Sequence, residues 1–391
     1  MAAAAPPAPP IGRGRGLPPE PPPLRIDLRT KVIPPNARLW ALFPGLARRY
    51  LRTFIEHSVV FLDTPGIALS VPVLADFTQL RRHVAMSEAI VEYHRGARRP
   101  PSRNPNTYEL RGPRAVSTAA YVRHLFVDVQ VGDIIAVGGQ MYDPVYYGEV
   151  ITATDGRNTI RVPRYGDEDI PVRRVRWHPS IVERRYLSPD LSHLLSNRKA
   201  LTELSKIRFG AEMFSSAYGN YIVDDESRYA ISGDNYDNNA PSLIAPINVI
   251  SYFIAAWNAI ESEDLDNFFE KSLYEAAQQF YDNDLLKSLQ VEFSSPGQFV
   301  IAAKRAALPL FVALCLQAAI NGVSLDTARA AEVTNSTAPA DPCTVEVKEK
   351  YQYLMNGMQY DRWQQVCHEA QKAKQGINLN PRLRPPSPAR Q

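Results

Sequence analysis

Cysteine is scarce in this chain of 391 residues: Cys315, Cys343 and Cys367 are the whole complement, odd in number and without CxxC spacing. That pattern argues against a disulfide framework and against a cysteine-based zinc site, and it fits a reducing, cytoplasmic setting. Lysine is almost missing from residues 1–190, where Lys31 stands alone among arginines. The leading run MAAAAPPAPPIGRGRG has no continuous apolar stretch of the kind a secretory signal needs, and its prolines oppose an amphipathic transit helix. No GxxxxGK[ST], HExxH or GxSxG occurs and the seven histidines are dispersed. A phosphate-cradling loop, a zincin centre and a nucleophile elbow are thereby excluded.

Proline is abundant instead, with 33 residues, many of them in the first 35 positions and in the stretch from Pro381. Such segments bury too little apolar surface to offset chain entropy, so residues 1–33 and 376–391 are expected to be disordered tails. Between them the composition is that of a globular protein, 45% hydrophobic and 22% charged, and the length suits two domains. Charge divides the halves. Residues 1–190 hold 26 Lys and Arg against 18 Asp and Glu, a balance of +8, and residues 191–391 hold 18 against 23, a balance of −5. The planar fork of arginine suits phosphates and base edges. Nucleic acid or a nucleotide is therefore the expected ligand of the first half, with a high-GC coding bias as the competing source of the arginines.

Ala37 to Gly45 reads as a strand running into a turn, a short helix follows through Tyr50, Leu51, Phe54 and Ile55, and Val59–Leu62 is a second strand stopped by Asp63-Thr64-Pro65-Gly66. Asp76 to Tyr93 has helical spacing, with Leu80, Val84, Ile90 and Val91 near one face. Arg95 to Arg114 carries six arginines, one acid and four prolines and reads as a loop. A loop of this kind can neutralise phosphates or simply be solvated. Four short strands follow, at 131–139, 146–151, 159–163 and 172–177, and their regular turn signals mark a small antiparallel barrel.

Trp40 near the start of a strand, the short helix, the Val59–Leu62 strand, the long helix and then VGDIIAV, YYGEVI and VRRVRWH together resemble the recognition domain that precedes the nuclease in Mrr-type restriction endonucleases. This arrangement is also similar to the wider PUA, EVE and ASCH superfamily. The resemblance covers about residues 36–190. It implies a PUA-like small β-barrel with flanking helices over residues 34–190, reading nucleic acid, often a modified or flipped base held between barrel and helices. The resemblance carries over onto Trp40, Gly132, Asp133, Gly148, Arg173, Arg174, Arg176 and Trp177. Gly132, Asp133 and Gly148 are read as turn or bend residues. Trp40 and Trp177 are read either as base-stacking platforms or as core. With the loop arginines Arg98, Arg99 and Arg103, the two tryptophans and the three strand arginines are the candidate nucleic-acid contacts. Because Val172–Trp177 alternates Val, Arg, Arg, Val, Arg, Trp, no period-two strand can bury all the arginines on one face, so at least one is exposed.

The second half is expected to be a mainly helical effector or oligomerisation domain over residues 195–375 containing a short β-hairpin, which makes the whole chain α+β. Helical spacing covers Leu187 to Gly210 and Tyr351 to Lys374, Tyr221–Val223 and Arg228–Ile231 read as short strands, and Leu289–Phe293 with Phe299–Ala303 forms the hairpin around Ser294-Ser295-Pro296-Gly297. Leu243–Ile260 and Ala306–Val323 are each uncharged for 18 residues. Their prolines and amides favour core helices over membrane spans. Mrr-type enzymes pair an Asp with a later Glu-x-Lys on a strand to hold Mg²⁺ and orient water. Only Asp326 with Glu346-Val347-Lys348 approaches that pattern, and it sits beside proline-bearing loops. No cofactor and no bound metal are expected. The resemblance to Mrr-type proteins implies a prokaryotic antiviral defence protein with a recognition domain and an effector or assembly module, self-associating or binding a partner from its own operon. Its alternatives are a degenerate metal nuclease and a membrane-disrupting effector.

Overall fold

The computed structural model describes residues 24–383 apart from 111–112, 140–142, 155–157, 180, 237–238, 293–296 and 339. Most of the two expected tails, 1–23 and 384–391, and the hairpin-turn residues Ser294, Ser295 and Pro296 lie outside the described residues. The fold is α+β. Its first sheet has six strands in the order Leu201–Leu204, Leu39–Leu42, Ile134–Gly138, Val145–Val150, Arg173–Trp177 and Val59–Val60. Leu39–Leu42 and Ile134–Gly138 are parallel, and the other neighbours are antiparallel. A separate hairpin joins Thr159–Arg161 to Asp169–Pro171.

Side-chain alternation sorts this sheet into two buried faces. Trp40, Leu42, Ile135, Val137 and Val175 face a core shared with Leu80 and Val84 of helix Phe77–His94 and Ala119 and Val122 of helix Pro113–Arg123. Leu39, Ala41, Ile134 and Ala136 face Leu191 and Leu195 of helix Pro189–Ser196 and Phe209, Met213 and Phe214 of helix Lys206–Tyr218. Burial on both sides is why Ile134–Val137 is an unbroken apolar run.

Two expectations for this unit need correction. The sheet is an open half-barrel, whose edge strands Leu201–Leu204 and Val59–Val60 do not pair with each other. The boundary near residue 190 also does not hold, because Leu201–Leu204, within a stretch expected to be helical, supplies one edge. At the other edge Val59–Val60 has only two residues, too short to complete a ring.

The second sheet runs Leu286–Glu292, Gly297–Ala303, Glu226–Gly233, Tyr221–Val223 and Lys31–Ile33, with Leu379–Asn380 also pairing on Glu226–Gly233. Helices Ile244–Glu261, Leu308–Ile320, Pro342–Gly357 and Tyr360–Ile377 share one apolar core with it. The expected hairpin is thus two strands of a six-stranded sheet, and the expected Tyr351–Lys374 helix is two helices that break at Met358-Gln359. Residues 24–33 and 376–383, expected in the tails, are structured. Arg25–Asp27 runs parallel to Glu332–Thr334, Lys31–Ile33 runs parallel to Tyr221–Val223, and Ile26 and Leu28 enter the second core. The alternation in Ile26-Asp27-Leu28 places both apolar side chains on one side. Among the described residues one helical stretch, Ala240–Glu261, is long and apolar enough to cross a membrane, and 61% of its most apolar window is buried inside the fold. The second uncharged segment forms only the 13-residue helix Leu308–Ile320, shorter than a bilayer span and sunk in the core.

Candidate ligand cleft

Asp76 caps helix Phe77–His94 by accepting from Thr78 N at 2.8 Å and Gln79 N at 3.1 Å. The helix crosses the end of the half-barrel where strand Val59–Val60 gives way to Leu62-Asp63-Thr64. Between them, helix Pro113–Arg123 and the Asn197–Ala200 segment lies a cleft of about 520 Å³. Thr64, Ser87 and Tyr121 line its wall, and Arg95, Arg198 and Lys199 also border it. Asp63, Glu88 and Glu92 reach it too, so the cleft is of mixed charge rather than plainly basic.

Asp63 is held in place by the phenols of Tyr50 and Tyr165, each donating to Oδ1 at 2.6 Å. Burial first, and the Asp63 carboxylate second, push both tyrosines above the ordinary phenol range, so they remain protonated donors. Ser87 is only 1% exposed and its Oγ has no hydrogen-bond partner among the described residues. Leaving a buried hydroxyl unmatched costs about 1–3 kcal/mol. Chemically, the cleft offers a ring wall, a spare hydroxyl and charged groups, a combination suited to a flat ligand with polar edges.

The residues singled out from sequence are mostly structural. Trp40 is buried, not a platform, and its Nε1–H donates to Asp133 Oδ2 at 2.9 Å. Asp133, 1% exposed, also accepts from Arg38 N at 2.8 Å and Gln130 N at 2.9 Å. Gly132 has φ +91°, as its turn requires. Gly148 lies within strand Val145–Val150, where its missing side chain makes room for Val175 and Trp177. Trp177 is partly buried against the core and donates to Phe54 O at 2.8 Å.

Among the strand arginines, Arg173 cannot meet nucleic acid, because it is 2% exposed. Its guanidinium donates to Leu125 O, Val129 O, Thr154 Oγ1 and Thr152 O at 2.8–3.0 Å, tying loops together. Arg174 and Arg176 point outward, as alternation demands, and Arg176 is paired with Glu149 at 2.9 Å. Arg98 and Arg99 are exposed on the loop, and Arg103 is taken up by Glu168. None of these eight candidates lines the cleft. The residues that do, Thr64, Ser87, Tyr121, Arg198 and Lys199 among them, escaped sequence reading. One signal was available: Ser87 follows Val84 and precedes Ile90 at helical spacing, a polar residue on an apolar face.

The nuclease candidates lack the strand that the Glu-x-Lys pattern needs. Glu346 and Lys348 lie on helix Pro342–Gly357 rather than on a strand, and two residues apart on a helix they point to different sides. Glu346 is half-buried near Lys350, Glu261 and Arg305, and burial raises its pKa. Asp326 has a side chain 93% exposed and faces Arg329 at 3.6 Å. Among the described residues no group of three or more His, Cys, Asp or Glu could hold a metal ion. Comparison with family models, with curated proteins and with solved structures gives no match to the chain.

Proposed function

We propose that the N-terminal unit is a PUA-like reader that takes a base of nucleic acid, or a nucleotide, into the cleft between helix Phe77–His94 and the half-barrel. The observation that carries this reading is the buried, unpartnered Ser87 hydroxyl in a cleft also lined by Tyr121. A base supplies what that hydroxyl lacks through its edge and what the ring offers through its face, and these gains offset the few kcal/mol of unstacking. The excess of arginine in the first half supports an anionic partner. A role in prokaryotic antiviral defence, with the C-terminal half as effector or assembly module, rests on the resemblance to Mrr-type proteins.

The test is a binding screen of the full chain against plain and modified single-stranded and duplex oligonucleotides at two salt concentrations. Tyr121→Ala is expected to lower affinity about tenfold or more, the worth of one stacking contact. Ser87→Val, close in volume, is expected to weaken binding without unfolding the chain. Affinity unchanged in both variants would refute the reading.

A further inference from the structure

Beside the cleft, on the other side of Arg198, lies a second concavity of about 350 Å³ lined by Phe43, Arg48, Arg184, Ser196 and Arg198. Three guanidiniums meet here, Arg48 from the start of the unit and Arg184 and Arg198 from either side of helix Pro189–Ser196. Arg184 is 9% exposed and donates to Ser196 Oγ at 2.5 Å and to the Ser192 and Gly139 carbonyls at 3.4 Å, while its Nε has no partner. Arg48 lies over the Phe43 ring at 4.5 Å and donates to Leu195 O at 3.4 Å, leaving Nη1 unpartnered. Arg198 is exposed and makes no ion pair among the described residues. Burial, then Arg184, then Arg198 lower the Arg48 pKa, and Asp143 is the carboxylate that opposes them. The last carbonyls of helix Pro189–Ser196 offset part of the charge, yet positive charge remains in surplus.

The backbone is strained at the same place. Gly45, Ala47 and Arg48 have φ of +78°, +55° and +57°, and left-handed non-glycine residues persist where surrounding structure holds them. Asp143 is the one carboxylate that acts on both Arg48 and Arg184, so three guanidiniums share a single opposing charge, and partly buried charge that is only partly matched is costly. A ligand that brings its own negative charge removes that cost through paired, charge-assisted hydrogen bonds.

We propose that Arg48, Arg184 and Arg198 form a phosphate subsite, contiguous through Arg198 with the base cleft, so that one nucleotide unit spans the two. The inference rests on the cleft reading for its base half and stands alone for its phosphate half. Arg198 borders both concavities and is the hinge of the arrangement. The shared chemistry is a phosphate group, whether on a free nucleotide, at a 5′ terminus or within a polynucleotide backbone.

The experiment is calorimetric titration of the full chain with inorganic phosphate, with the common nucleosides, with their 5′-monophosphates, and with a short single strand bearing a 5′ hydroxyl or a 5′ phosphate, all at one ionic strength. Monophosphates are expected to bind about tenfold or more tightly than nucleosides, as one added charge-assisted bond would give. Arg48→Gln is expected to remove that advantage while nucleoside affinity stays within about twofold. Arg198→Ala, at an exposed position, serves as the second variant should Arg48→Gln fail to fold, and it is expected to remove the advantage as well. A natively melting variant that retains the advantage, or a wild type without it, overturns the subsite. If phosphate binds in an Arg48-dependent way while no nucleoside binds, the subsite stands and the cleft reading fails. The paired single strands separate a terminal phosphate from a backbone one.

Discussion

The Lys31 ammonium stands 3.0 Å from Glu149 Oε2 and thereby ties the edge strand of the second sheet to strand Val145–Val150 of the first. Glu149 is also paired with Arg176 at 2.9 Å. Burial raises its pKa, but the Lys31 and Arg176 hydrogen bonds outweigh that and leave it below the usual 4.5.

Removing the lysine therefore leaves a mostly buried carboxylate with one partner fewer. Lys31→Ala is expected to cost about 1–3 kcal/mol in chemical denaturation, less than a fully buried pair because the ammonium keeps some water. Limited proteolysis should also cut the 24–35 segment sooner. An unchanged denaturation midpoint would show that the pair contributes nothing to joining the sheets.

Asp133 joins three donors, Trp40 Nε1, Arg38 N and Gln130 N, out of contact with water. Asp133→Ala strands all three, and a loss of about 2–4 kcal/mol is expected, since each buried group left unmatched costs about 1–3 kcal/mol and the site relaxes in part. Trp40→Phe is expected to lower stability and leave oligonucleotide affinity as it was. A large affinity loss in a stably folded Trp40→Phe protein would restore the tryptophan as a stacking platform.

Gly148 pairs with Trp177 across the sheet. A Cβ there would overlap Val175 Cγ1 and stand 2.7 Å from Trp177 Cε3. Gly148→Ala is expected to destabilise by about 1–3 kcal/mol, the usual cost of overpacking. Adding Val175→Ala should return part of that loss. A double-mutant cycle with no coupling between the two sites contradicts this account of the glycine.

Acid should weaken the fold before the carboxylates titrate. Burial lowers the pKa of His83, and burial, with Glu149 opposing and Lys31 and Arg176 assisting, lowers that of His178, which packs edge-on against Tyr218 at 4.4 Å. An unfolded histidine titrates near 6.5, so below that pH the unfolded chain binds more protons than the native one. Stability is then complete above about 6.5 and falls as pH drops through the lower native values. Glu149 extends the loss below 4.5, where its depressed pKa is passed. Urea midpoints across neutral to mildly acidic pH should decline, and His178→Phe should flatten part of the decline. Midpoints that stay level down to pH 5 would show that neither ring resists protonation.

Much of the first sheet was legible because its strands are apolar and bounded by turn residues. Val59–Val60, Ile134–Gly138, Val145–Val150 and Arg173–Trp177 all lie within or beside the stretches that periodicity marks, and Tyr221–Val223 coincides with its expected span. The strands that were missed, Arg25–Asp27, Lys31–Ile33, Asp169–Pro171, Leu201–Leu204, Glu332–Thr334 and Leu379–Asn380, have two to four residues. Segments that short have no stability of their own and form only because a partner edge is waiting. Composition raised the expectation that arginines of the first half meet a ligand, yet it could not say where each arginine sits. Arg173 closes loops, while Arg48, Arg184 and Arg198 gather at one concavity.

Local pattern by itself determined the α+β class, the alternation that turns Arg174 and Arg176 outward, and the apolar helices of the second half, because each depends on neighbours a few residues away. Tertiary structure alone decided that the first sheet stays open, that Ile26 and Leu28 belong to the second core while Ile33 joins the first sheet's, and that Ser87 and three arginines face adjoining hollows. Those outcomes depend on which edges and side chains meet across long stretches of chain, and periodicity carries no information about such pairings.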